Sequence, residues 1–396
     1  MLDAITDLPL APPRLSYLAR LRVRDLRTYV EAEVELGPGL TVVAGPNGAG
    51  KTNLLEAAYL ACTGRSFRGA SDRELVRRGA DAGHVSAEVE SGAAGALSVS
   101  AFSVGIQPPD RRRLRVDGNP VDGLLDHPAR PRMSVFLPDR LALVKGGPGL
   151  RRAHLDQLLV ALRPSAGPLR RGFHEALRQR NALLTSLRTR GVDLDRARGE
   201  LAPWDRALAS AAAALTEARA AAVAAVDPAV AERARQLGLD GELEVAYRPR
   251  SSTDADELLQ ALSERVAGDL ERGFTHHGPH RDDLAVRREG RPLSRFGSQG
   301  EQRLALLALL LGEADALHAA SGQRPVLLLD DVMSELDVER RSRLVEVLAG
   351  AGQALITVTE ASHVPGADAD DVGLVEVEPG AAATVRVATV STEADR

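Results

Sequence analysis

The sequence predicts an α/β fold with a mostly helical insertion lobe, on three observations. A glycine-rich loop follows a short apolar run, Leu40 to Ala44, near the start of the chain. A second apolar run, Val326 to Leu329, ends in two adjacent carboxylates, Asp330 and Asp331. Between them the composition turns to Ala, Leu, Arg and Glu, with apolar residues at helical spacing.

Taken in order, residues 1–14 carry Pro9, Pro12 and Pro13 and read as a disordered leader. Residues 15–150 read as the first part of the α/β lobe. They hold strands within 17–44 and short β-like pieces over 85–145, with a turn at Asp117-Gly118-Asn119-Pro120. Residues 151–272 read as the helical lobe. Phe173, Leu177, Leu184 and Leu187 lie on one helical face, 206–226 is alanine-rich helix, and Pro228 and Gly238 are expected to break the region. Heptads are not sustained, so no long coiled coil is expected. Residues 273–388 return to α/β, with a helix over 301–319 and strands over 325–329 and 353–358, and 389–396 read as a loose tail.

Composition bounds the function. The chain has 396 residues and a net charge of −5, so it is not a basic molecule as a whole. Residues 1–200 nevertheless hold 30 basic against 22 acidic residues, and 201–396 hold 20 against 33. That asymmetry permits a local basic face for nucleic acid. Cys62 is the single cysteine, which excludes an internal disulfide and a cysteine-based zinc site and fits a cytoplasmic protein. The N-terminus does not read as a signal peptide, and the longest apolar run, Leu304 to Leu311, is far short of a membrane span. Arg outnumbers Lys 48 to 2, so the two lysines, Lys51 and Lys145, each call for a reason.

Lys51 has one. Gly45-Pro46-Asn47-Gly48-Ala49-Gly50-Lys51-Thr52 fits the phosphate-loop pattern G-x-x-x-x-G-K-[ST], with an apolar strand before it and a helical pattern, Asn53 to Ala61, after it. Glycines let backbone N–H groups close around phosphates, and the helix start adds partial positive charge. Lys51 is expected at the β- and γ-phosphates of ATP, and the Thr52 hydroxyl on Mg²⁺. The strand ending in Asp330 should place that carboxylate beside the loop to hold Mg²⁺. Asp331 is expected to polarise the attacking water.

Gly297-Ser298-Gln299-Gly300-Glu301-Gln302-Arg303 opens a strongly apolar helix. Ser298 and Glu301 make a capping box, which by itself says only that a helix is well capped. The segment lies some 30 residues before the carboxylate strand, where an ABC-ATPase head has its L-S-G-G-Q signature. Gly297 stands for the Leu and Gln299 for the first Gly. Ser334-Glu335-Leu336-Asp337 resembles the segment that follows the carboxylate strand in that class. The fold class expected is therefore an ABC-ATPase head, a P-loop NTPase, with its helical lobe inserted.

Further motifs narrow the resemblance. Gly64-Arg65-Ser66-Phe67-Arg68, Phe136-Leu137-Pro138-Asp139, Gly146-Gly147-Pro148, Arg151-Arg152-Ala153-His154-Leu155-Asp156, Gly278-Pro279-His280-Arg281-Asp282-Asp283 and Ser298-Gln299-Gly300 occur in the order found in the RecF family. The resemblance covers roughly residues 17–390. It implies an SMC-like head without the long coiled coil and an ATP-dependent homodimer. It also implies binding of single-stranded, double-stranded or gapped DNA, slow ATP hydrolysis with Ser298 and Gly300 acting across the dimer, and RecR and RecO as partners. Arg65, Arg68, Arg77, Arg78 and Arg111 to Arg113 are the candidate DNA contacts.

The sequence departs from the class in two places. No Gln stands near 136–140, where the Q-loop belongs, and Gln107 is a weak substitute. Thr359-Glu360, with His363 shortly after, occupies the position of the switch histidine. His276, His277 and His280 cluster without zinc-ligand spacing. A transporter nucleotide-binding subunit and a non-hydrolysing ATP-dependent scaffold remain as alternative readings.

Overall fold

The computed structural model describes residues 15–93, 96–125, 127–378 and 384–388; the leader over 1–14 and the tail over 389–396 lie outside the described residues. The chain divides into two compact units. The first contains residues 1–140, 236–238 and 317–396, and the second 141–235 and 239–316. These bounds differ from the expected ones. The second unit begins about ten residues before 151 and extends past 272 to 316, so it takes in the signature segment and most of the helix that follows.

The first unit opens with β1 (Leu15–Leu26) and β2 (Tyr29–Glu35), an antiparallel hairpin whose strands alternate buried and exposed residues. Next come β3 (Leu40–Ala44), buried throughout, and α1 (Lys51–Thr63). After a short turn α2 (Asp72–Leu75), the strands β4 (Gly83–Ala93), β5 (Ala96–Ile106), β6 (Arg113–Val116) and β7 (Asn119–Pro120) extend the antiparallel sheet in the order β2-β1-β4-β5-β6-β7. β8 (Met133–Phe136) belongs to another sheet.

The second unit is mostly helical: α3 (Ala142–Lys145), α4 (Pro148–Leu162), α5 (Gly167–Thr189) and α6 (Leu194–Gln236). The last is 43 residues, about 65 Å at 1.5 Å per residue. It runs through Pro203 and Pro228, so the expected break at Pro228 is absent. Ala222, Val223, Val226, Val230 and Ala234 are buried on either side of that proline, and their packing outweighs the lost backbone hydrogen bond. The helix ends just before Gly238, which has positive φ. A small antiparallel sheet, β9 (Leu243–Arg248), β10 (Asp283–Arg288) and β11 (Arg291–Pro292), belongs to this unit. So do α7 (Ala255–Glu264), α8 (Val266–Arg272), the short α9 (Leu293–Phe296) and most of α10 (Gln299–Ser321). Both α6 and α10 are long and apolar enough to cross a membrane, yet 56% and 67% of their apolar stretches are buried inside the protein, as in core helices.

The first unit resumes with β12 (Val326–Leu329), α11 (Val338–Ala349), β13 (Ala354–Val358), β14 (Gly373–Glu378) and β15 (Thr384–Ala388). The second six-stranded sheet runs β15-β14-β3-β13-β12-β8 and is parallel except at β15. Its central strands are continuous apolar runs, as strands covered on both faces must be. Helix α1 packs against both sheets of this unit, which explains its burial all round: Leu54, Leu55, Ala57, Ala58, Leu60 and Ala61 share one core with Val85, Phe102, Val43 and Leu355. Gln353 ties the sheets together. Its buried amide accepts from Leu18 N (2.8 Å) and donates to the carbonyls of Leu18 (2.7 Å) and Gly37 (2.8 Å).

Candidate nucleotide site

Strand β13 lies between β3 and β12, so the glycine loop and the carboxylates leave the same sheet edge one strand apart, about 9–10 Å at ordinary spacing. Gly45 and Gly50 are required by geometry. A Cβ at Gly45 would meet the Val377 carbonyl oxygen at 2.2 Å, and one at Gly50, where φ is +114°, would meet Thr28 Oγ1 at 2.8 Å. Tyr29, fully buried, donates from its hydroxyl to the Gly50 carbonyl (3.0 Å) and fixes the loop where it becomes helix.

Lys51 Nζ donates to the carbonyls of Gly45 (2.5 Å) and Pro46 (3.0 Å), across the mouth of the loop. Burial lowers the ammonium's pKa, while Asp331 and Asp330 pull it back. The Thr52 hydroxyl lies 2.9 and 3.0 Å from the two oxygens of Asp330. Thr357, at 1% exposure on β13, donates to the same carboxylate (2.8 Å) and accepts from Asp331 N (2.9 Å). Asp331 itself is exposed and left-handed, with φ +50°. That conformation is disfavoured for most residues and tolerated best by Asn and Asp.

Thr357 was not singled out from the sequence. The available signal was one hydroxyl inside the apolar run Ala354 to Val358, since a buried polar group needs a partner. Tyr29 was missed too, because a tyrosine opening a strand reads simply as core.

The remaining candidates sort clearly. Asp330 N donates to the Phe136 carbonyl, so β8 delivers Pro138-Asp139 to the same sheet edge. Gln107 instead lies in the turn after β5, in the antiparallel sheet, and accepts from Arg113 (3.3 Å). Thr359 Oγ1 and His363 Nδ1 are 3.2 Å apart just beyond β13. Ser298 and Gly300 belong to the second unit. Ser298 is exposed; its N–H donates to Glu301 (2.7 Å) and its hydroxyl accepts from Glu301 N (3.3 Å), closing the capping box. That backbone N–H holds the Glu301 carboxyl below its ordinary range. Asp337 caps α11 by accepting from Arg340 N (2.8 Å).

Four of the arginines expected at DNA are already engaged, Arg113 by the bond to Gln107 and three others elsewhere. Arg68 bonds Asn53, Arg77 bonds Asp25, and Arg112 bonds Asp72 and the Gly64 carbonyl. Two of the three clustered histidines have protein partners: His280 Nε2 faces the Thr275 carbonyl (3.0 Å) and its ring stacks on Phe173, while His276 Nδ1 meets Arg281.

Relatives decide the family. The chain is 41% identical over 356 residues to the DNA replication and repair protein RecF of Acidothermus cellulolyticus, covering 86% of this chain and 93% of that protein. The RecF protein of Kineococcus radiotolerans is 38% identical over 380 residues, with 89% and 95% covered. The chain belongs to the RecF family. Among solved structures, the recombination mediator protein RecF with ATP, in the RecFOR pathway, superposes with a TM-score of 0.77 at 26% identity, covering 96% of this chain and 99% of that one. An Smc head bound to the C-terminal winged-helix domain of ScpA shares the fold, with a TM-score of 0.60 at 14% identity over 95% and 98% of the two chains. An AAA-domain profile matches residues 20–103. The expected ABC-ATPase head, SMC-like in fold, therefore stands, and the RecF relatives remove the support for a transporter subunit.

Proposed function

We propose that this RecF-family chain is an ATP-gated DNA clamp of recombinational repair and fork maintenance. ATP joins two copies into a homodimer, DNA binds across the closed pair, and slow hydrolysis reopens it. The observation that carries the reading is the contact of Thr52 with Asp330, braced by Thr357. It brings the two nucleotide motifs, 278 residues apart in sequence, to one point.

The loop N–H groups from Gly45 to Thr52 bind the phosphates, and Lys51 leaves its two carbonyls for the β- and γ-oxygens. Thr52 and Asp330 offer the hard oxygen donors that suit Mg²⁺. When bound, Mg²⁺ neutralises charge on the β- and γ-phosphates. Asp331 orients the attacking water, and its short side chain makes turnover slow. Ser298 and Gly300, exposed or half-exposed at the start of α10, complete the partner copy's site. RecR and RecO are carried over as partners, along with cytoplasmic location and a part in the SOS response, from the family and the pathway in which its ATP-bound structures were solved. Arg65, Arg78 and Arg111, exposed and with no side-chain hydrogen bond or ion pair among the described residues, are the candidates for DNA phosphates.

The test is Ser298→Arg, followed by sizing with ATP, ADP and no nucleotide. The variant should bind ATP as a monomer with the parent's affinity and fail to dimerise. Loss of monomer affinity would place Ser298 in its own site and contradict the reading.

A further inference from the structure

The second unit carries a cavity of about 420 Å³ on its small sheet, separate from every residue assigned to the nucleotide. Arg151, Arg248, Arg250 and Arg287 line it, with Asp283 as the one acid. Asp283 is already neutralised: Arg151 grips both of its oxygens at 2.7 and 2.8 Å. The other three arginines are uncompensated. Among the described residues, no side-chain hydrogen bond or ion pair engages Arg248, Arg250 or Arg287, and Arg287 Nε is buried with no acceptor. Glu244 faces Arg287 across the β9–β10 pair but forms no ion pair with it. Three free guanidinium groups around one hollow are notable in a half of the chain where acids outnumber bases 33 to 20.

The backbone beneath these groups is held in place. Arg250 N donates to the fully buried Asp282 (2.7 Å), Pro249 stiffens the turn, and on the paired strands β9 and β10 Arg248 stands opposite Asp283 and Arg287 opposite Glu244. The charges are thus fixed at their roots and free at their tips, as a binding site for a planar anion requires. The rest of the lining says which anion. Six of the twelve lining residues are aliphatic or proline, and none is aromatic. A single nucleic-acid strand is gripped by phosphate contacts together with rings that stack its bases, and this lining offers no ring. Carboxylates next to aliphatic side chains match both halves of this surface.

We propose that this cavity docks an acidic, aliphatic peptide segment of a partner protein, its carboxylates on Arg248, Arg250 and Arg287 and its apolar side chains against Ala285, Val286 and Pro292. The site is independent of the nucleotide reading, because no group assigned to ATP contributes to it.

The test uses the full chain without nucleotide and a fluorescein-labelled octapeptide of alternating aspartate and leucine, read by anisotropy. Binding should weaken at least tenfold in the double variant Arg248→Ala, Arg250→Ala, whose side chains are exposed and bear no packing load. It should weaken at least tenfold again when asparagine replaces aspartate in the peptide, and fall as salt rises. Arg287→Ala should lose affinity without loss of thermal stability, since its buried Nε has no bond to lose. Undiminished ATP binding in each variant would confirm folding. No binding to the parent, equal binding to the double variant, or equal binding of the asparagine peptide would overturn the proposal. So would tighter occupancy of the same arginines by an oligothymidylate of equal charge, which would assign the cavity to nucleic acid.

Discussion

The nucleotide edge of the first unit and the buried core of the second hold their charged residues in opposite ways. At the sheet edge of the first unit, Lys51 bonds neutral carbonyls, and Asp330 bonds two threonine hydroxyls. Among the described residues, no guanidinium closes off these groups, so each can exchange its neutral partner for a phosphate or a cation. In the buried core of the second unit, full charges are locked against full charges. Arg180, at 0% exposure, bonds Asp205 (2.6 Å), Asp269 (2.8 Å) and Thr275 (2.7 Å). Arg219, at 1%, bonds Asp156 (2.7 Å), Asp282 (3.2 Å) and the Pro279 carbonyl (2.8 Å). Asp156 belongs to the Arg151–Asp156 motif, and Asp282 to the Gly278–Asp283 motif. Two of the strongest family marks in the sequence therefore meet on one buried arginine. Marks of a family need not be its chemistry: here they secure the helical unit, while ordinary threonines serve the reactive edge.

The comparison breaks first at Arg219. Arg219→Met should leave Asp156 and Asp282 buried without their cation and cost about 3–5 kcal/mol, read by urea unfolding. A loss below about 1 kcal/mol would mean the network is dispensable. Lys51→Ala makes the opposite claim. ATP turnover should fall roughly 1,000-fold, as when a preorganised charge is removed from a transition state, with unfolding stability within about 0.5 kcal/mol of the parent. Large losses of both would show that the edge is structural as well.

Asp331→Asn sharpens the division within the edge itself. It keeps the shape and the left-handed turn and loses the carboxylate's hold on water. Single-turnover hydrolysis should slow about 100-fold, with longer-lived ATP dimers. Unchanged turnover would pass the role to another acid, with Glu335 next to test, or support a scaffold that does not depend on hydrolysis.

The smallest effect belongs to His280 in the second unit. Burial holds its pKa at about 4 against an ordinary 6.5; Arg281 and Arg152 add to the depression, and the Thr275 carbonyl and Asp269 oppose it. Between those values the unfolded chain binds a proton that the folded chain refuses. Stability present above pH 6.5 is therefore lost as pH falls toward 4. His280→Asn should shrink the stability difference between pH 7 and pH 5 by roughly 1 kcal/mol, discounted for the ring's partial exposure. An unchanged pH profile would assign the acid sensitivity elsewhere.

Local pattern determined a good deal about this protein. The phosphate loop is a contiguous segment whose glycines, lysine and threonine are fixed by backbone geometry over eight residues, so it is readable without any contact map. The same holds for the buried strand β12, the capping box at Ser298 and the alanine-rich stretch of α6, where period and cap chemistry are local properties. Tertiary structure decided the rest, because burial and partnership join residues that the chain keeps apart. It carried α6 through Pro228, placed the signature segment in the second unit, and gave Thr357 its hold on Asp330. It also brought Asp156 and Asp282 onto Arg219 while leaving Arg248, Arg250 and Arg287 with no ion-pair partner among the described residues. A string of residues gives the charge of each side chain, but whether that charge is satisfied depends on what the fold brings within about 3 Å of it.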